Sequence, residues 1–294
     1  MSNGLSLQMS DEPEIIRKKY MKRNIFSLIA QPHWMQRVAC VLLLCALASG
    51  VEAKKSIKKW KKYNPGEVVF RDKSPESEGS RIYHAIVQDP DTYIQQSARQ
   101  VLHTLYAGPK DKNVPKLDRI FYTIQEYDGV SEKSGGGRHV AIRYSTKWVQ
   151  RSFAQGDTAK VDYETRGVLY HELTHAYQLE PKNCGSYGDG GEFWAFIEGM
   201  ADAVRLACGC FEQDFQSKDR PRRGTWRNGY RVAGYFIYWL QLNKDKDFIR
   251  KFNRSAAELD TWSWDAAMRH ILGDKPENGV DALWAEYLQD ISGR

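Results

Sequence analysis

The ten residues LYHELTHAYQ, 169–178, constrain this chain more than any other stretch. In an α-helix, residues four apart lie one turn from each other on the same face. A helix here therefore brings the imidazoles of His171 and His175 to one point, where they can share a cation. Glu172 falls about 100° round the helix, near enough to reach a water at that cation. Leu169, Leu173, Ala176 and Tyr177 lie on the other side. The predicted helix presses that side into a core and turns its histidines to a cleft.

Two imidazoles do not complete a site. A hydrolytic zinc centre uses three protein ligands and keeps a fourth position open. The downstream stretch FWAFIEGMADAV, 193–204, supplies Glu198 and Asp202 on a helix otherwise lined by Phe196, Ile197, Met200 and Val204. Carboxylates in such a setting are unfavourable unless they meet a cation. Glu198 is the expected third ligand. Asp202 is expected to accept the free N–H of a ligating histidine, His171, and so fix its tautomer. Asp202 as the ligand itself is the competing assignment. Zn²⁺ follows from the ligand types, and other divalent ions fit the same three positions. Tyr230, which opens a helix beside Trp226, is the candidate second electrophile.

The chain has 294 residues, 41% of them apolar, enough for a sizeable core. Val68–Pro90 reads as extended segments and turns, and Thr92–Tyr106 as a helix. Arg119–Tyr127 and His139–Thr146 alternate as strands do, with a Gly-rich turn at 134–137 between them. Helical patterns then follow near 162–178, 192–207, 229–243, 246–253, 262–272 and 279–291. Strands first and helices afterwards predict an α+β fold, with a small β-sheet in the N-terminal half and a helical C-terminal half. Val140–Tyr144 is the candidate edge for an extended peptide. The late tryptophans, among them Trp226, Trp239, Trp262, Trp264 and Trp284, read as core.

Near the start, Met35-Gln-Arg precedes the apolar run VACVLLLCALASGVEA, 38–53. This has the form of a signal peptide beginning at Met35 and cleaved after Ala53, and the run is short for a bilayer span. Residues 1–34 then read as an upstream extension, 54–79 as a basic arm and linker, and 80–294 as one domain. Residues 1–53 carry six Lys/Arg and four Asp/Glu, so the remainder has a net charge of +4 against +6 for the whole chain. The Lys54–Lys62 arm could touch anionic surfaces. RPRRGTWRNGYR interleaves arginine with aromatic residues, but a secreted chain of this charge gives no reason to expect a nucleic-acid partner. Outside the cell, Cys184 is expected to pair with Cys208 or Cys210, and Asn253-Arg-Ser255 is a glycosylation acceptor.

These motifs together resemble the basic secretory protein family of plants, a group of zinc-dependent peptidases. The resemblance rests on YHELTHAYQ, FIEGMADAVRL, RPRRGTWRNGYRVAGYFIYWL, DFIRKFNRS and VDALWAEYL, in that order over roughly residues 80–291. It implies a zincin-like fold and a zinc ion on His171, His175 and a downstream acidic residue. It also implies Glu172 as the base that activates a zinc-bound water, and a secreted protein often associated with defence. The polybasic arm and the cysteines have no place in the family pattern. The expectation is a secreted, monomeric zinc peptidase acting on peptides or proteins. The alternative is a secreted defence or wall-binding protein that keeps the scaffold without turnover.

Overall fold

A computed structural model describes residues 58–210 and 224–292. The leader at 35–53, the first lysines of the arm and Arg220, Arg222 and Arg223 lie outside the described residues. Among the described residues there are four strands: β1 (Glu67–Asp72), β2 (Arg119–Gln125), β3 (Ser131–Gly136) and β4 (His139–Ser145). Isoleucine, valine and tyrosine recur at every second position of β2 and β4, which is how a strand buries one face. Ile120, Tyr122, Ile124, Val140, Ile142 and Tyr144 are all at most 2% exposed. The sheet order is β1-β2-β4-β3, with β1, β2 and β4 parallel and β3 antiparallel to β4.

This order corrects two strand expectations. β4 is an inner strand, and the edge is β3, which occupies the stretch read as a turn. Gly135 and Gly137 have φ of +76° and +63° and turn the chain back into β4. Ser131 pairs with Tyr144 and Lys133 with Ile142, so both point to the buried face of the sheet.

Helices α1 (Glu78–Ile86) and α2 (Pro90–Leu105) follow β1, and α3 (Thr146–Ser152) and α4 (Thr158–Tyr177) follow β4. The remainder is helical: α5 (Glu192–Ala207), α6 (Tyr230–Asn243), α7 (Phe248–Glu258), α8 (Trp264–Leu272) and α9 (Val280–Ser292). The α+β expectation holds. α1 was not expected because EGSRIYHAI has weak helix propensity. Its N-cap Ser77 accepts from Ser80 N, and a Cβ at Gly79 would meet the Thr146 backbone, so close packing on α3 decides the local structure. A linker reaching residue 79 is corrected in the same way: β1 belongs to the sheet, and Trp60 is fully buried between exposed lysines.

The late tryptophans form core. Trp226, Trp262 and Trp264 are at most 1% exposed, and Trp264 Nε1 donates to the Glu192 carbonyl at the start of α5. Asn253 is also fully buried. Its Oδ1 accepts from Leu179 N at 2.9 Å, so the glycosylation expectation is withdrawn: a glycan on that amide would require this part of the core to open. The disulfide expectation fails too. Cys184, Cys208 and Cys210 are free thiols, and burial pushes the Cys208 thiol up to about 12.

α5 and α6 pack closely because two glycines permit it. A Cβ at Gly199 would come within 2.6 Å of Ala233 Cβ, and one at Gly234 within 2.7 Å of Asp202 Cβ. Gly199 follows Glu198 directly, so this contact sets the depth of both acidic residues. Gly234→Ala and Gly199→Ala should each cost about 1–3 kcal/mol in denaturant unfolding. Gly188→Ala, where a Cβ meets nothing within 4 Å, should stay within about 0.5 kcal/mol of the parent.

Candidate metal centre

Leu169, Leu173 and Tyr177 are fully buried along one side of α4. The opposite side carries His171 and His175, whose side chains are 11% and 12% exposed. Their Nε2 atoms approach to 3.1 Å. α5 brings Glu198 against them from the facing side, with Oε2 at 3.2 Å from His171 Nε2 and 3.6 Å from His175 Nε2. His171, His175 and Glu198 thus form a group that could hold a metal ion.

The donor set fits an ion better than it fits protons. Glu198 Oε2 is buried, and apart from its ion-pair contacts to the two imidazoles it has no hydrogen bond, so this oxygen needs positive charge against it. Each imidazole has one N–H when neutral, and His171 directs its Nδ1 to Asp202 Oδ1 at 2.8 Å. That leaves the Nε2 lone pair turned inward. Ligand atoms about 2.0–2.1 Å from a tetrahedral zinc lie roughly 3.4 Å apart, close to the three separations found here.

The electrostatics agree. Burial alone would lower the His171 pKa, but bonds to Asp202 and Glu198 reverse this and lift it to about 9. Burial likewise opposes ionisation of Glu198, yet the two imidazoles hold its carboxyl far below the usual carboxylate range. Asp202 is held low against burial by His171 and Arg205. Both acids are therefore ionised around a point that demands positive charge.

Asp202 sits on the outer side of His171, where it also accepts from Arg205 Nη1 at 3.1 Å. Glu198, not Asp202, faces both Nε2 atoms. Glu172 is 5% exposed, and its Oε1 accepts from Ser131 Oγ at 2.5 Å. The same sheet face holds Tyr144, whose hydroxyl meets Thr165 of α4 at 3.2 Å. One helix thus lies across the strand face that carries Ser131.

Tyr230 stands at the site as well. Its ring lies parallel to that of His171, with centroids 6.0 Å apart and 11° between planes, and 46% of the residue is exposed. It has a left-handed backbone, φ +39°, which non-glycine residues adopt only at a cost of about 1–3 kcal/mol. Gly229 before it could carry no Cβ, because the ring of Trp194 lies 2.7 Å from that position. Trp194 in turn meets the Tyr230 ring edge-on at 5.5 Å. Burial raises the Tyr230 phenol above its ordinary pKa, so it remains an O–H donor at neutral pH.

These groups line a cleft of about 410 Å³ that also takes in Lys133, Gln178, Tyr187, Phe193 and Ile197. Sequence reasoning missed Ser131, Gln178 and Tyr187. Gln178 presents its amide to His175 Nδ1 at 3.0 Å, and the i, i+3 spacing just past the end of α4 was the available signal. Tyr187 donates to Glu198 Oε1 at 2.5 Å from a Gly-rich loop, and Ser131 lies on a strand the sequence hid.

Residues 66–287 match the family model BSP, described as a peptidase of plants and bacteria. The chain belongs to this family of peptidases. No curated protein matches the chain, and no solved structure matches it.

His171→Ala should abolish stoichiometric binding of a divalent ion in equilibrium dialysis, and Asp202→Asn should weaken it by about 10–100-fold. Full occupancy in the His171 variant would overturn this ligand set.

Proposed function

We propose that the protein is a zinc-dependent peptidase of zincin type, with His171, His175 and Glu198 as metal ligands and Glu172 as general base. The observation that carries this reading is the convergence of two imidazole Nε2 atoms and a buried carboxylate oxygen, with a second carboxylate, Glu172, in the same cleft. Two histidines and a glutamate are a ligand set suited to hydrolytic zinc. An ion held there supplies Lewis acidity, polarising a carbonyl and acidifying water.

The chain's own groups fit the remaining tasks. Ser131 holds one oxygen of Glu172, leaving the other to take a proton from an attacking water and return it to the leaving amine. The Tyr230 phenol, protonated and half exposed above His171, is placed to donate to a developing oxyanion. β3 ends the sheet and borders the cleft, so an extended peptide can add to it by main-chain pairing. Phe193 and Ile197 supply an apolar wall for a side chain. The leader read at 35–53 would place this activity outside the cell.

Glu172→Gln should keep metal binding while lowering hydrolysis of casein or a peptide library by about 10²–10⁴-fold. If zinc binds stoichiometrically and both proteins are equally inert on every peptide, the scaffold serves binding and not turnover.

A further inference from the structure

Each of the three inward-facing ligand atoms belongs to a group with a second heteroatom facing away. For His171 this is Nδ1, held by Asp202 Oδ1 at 2.8 Å. For His175 it is Nδ1, met by the Gln178 amide at 3.0 Å. Gln178 Nε2 faces that nitrogen while Oε1 is buried without a partner. A half-turn of the amide lets Oε1 accept the Nδ1–H. For Glu198 the outward atom is Oε1, and it accepts the Tyr187 hydroxyl at 2.5 Å.

We infer that Tyr187 is a positioning residue for Glu198: its hydroxyl occupies Oε1, so that the carboxylate offers Oε2 alone to the His171–His175 pair. The inference rests on the reading of this group as a metal centre. Two observations separate Tyr187 from an ordinary core hydrogen bond. Asp202 and Gln178 are 5% and 8% exposed, whereas Tyr187 is 49% exposed, so its ring adds little to the core. Its loop is also preformed. Ser186 and Asp189 close a capping box around the turn that carries Tyr187, and Gly185 and Gly190, at φ +95° and +62°, permit the bends on either side. The segment between the two ligand helices is thus shaped to deliver one phenol to one carboxylate oxygen.

The chemistry gives this contact a distinct consequence. A carboxylate with one oxygen engaged binds a cation through the other and leaves room for a further ligand. Without the phenolic proton, both oxygens of Glu198 are available to the same cation, and the open position narrows. A role limited to packing would alter neither the number of donors nor the spectrum of the bound ion.

The test compares the full chain with its Tyr187→Phe variant. Zn²⁺ affinity is measured by competition with a chromophoric chelator, the visible spectrum is taken with Co²⁺ in place of zinc, and thermal unfolding is followed without metal. The expected result is about 10–100-fold weaker zinc binding, a changed Co²⁺ band and an unchanged metal-free melting midpoint. Zinc binding within about twofold of the parent overturns the inference, as does weaker binding with an unchanged Co²⁺ spectrum. A lowered metal-free midpoint overturns it too, because it assigns Tyr187 a structural role. If the parent chain itself binds neither ion, the metal reading fails, and the inference falls with it.

Discussion

Two imidazole nitrogens and one carboxylate oxygen meet in a buried space that calls for positive charge, and the rest of the structure is arranged around that demand. Glu198 Oε2 lies against both Nε2 atoms, and His171 directs its Nδ1 to Asp202. Such a cluster is unstable by itself, since buried charge without compensation costs several kcal/mol per ion. Asp202 and Glu198 raise the His171 pKa against the effect of burial, another sign that positive charge is favoured at this point.

Holding that cluster together is a matter of helix spacing. α4 supplies the histidines and α5 the acids, and α5 is fixed in turn by its contact with α6 at Gly199 and Gly234. Those glycines lie beside Glu198 and Asp202, so packing and site are one feature. The sheet contributes from the other side. Its outermost strand reaches Glu172 through Ser131, while the inner strands bury the face on which Ser131 stands. Positions in the site are therefore set by regular elements, with Tyr187 and Tyr230 added from the segments that join or open helices.

Much of this was legible in the sequence where a period carried it. The histidine pair follows from i, i+4 spacing, and the acidic pair stands out because FWAFIEGMADAV is otherwise apolar. The alternation in RIFYTIQ and HVAIRYS gives the two central strands. What was hidden lacked a period. β3 is SEKSGG, polar and Gly-rich, and pairing with β4 makes it a strand in spite of its composition. α1 forms because Gly79 admits α3, a contact between residues 67 positions apart. Tyr187 is one of 16 tyrosines, and nothing local marks it. The acceptor triplet at Asn253 and the cysteine spacing were misleading for a shared reason: a short motif says nothing about burial. The first falls in the core, and the second belongs to thiols that remain free.

The left-handed backbone of Tyr230 has a consequence for anyone who tries to harden this protein against heat. A screen for thermal resistance would favour glycine at that position, because it relieves the unfavourable torsion at no steric expense. The same replacement strips the aromatic lid from His171 and removes a phenol from the cleft. Selection for robustness and selection for turnover therefore pull this single residue in opposite directions, and a survivor of the first would be a poor candidate for the second.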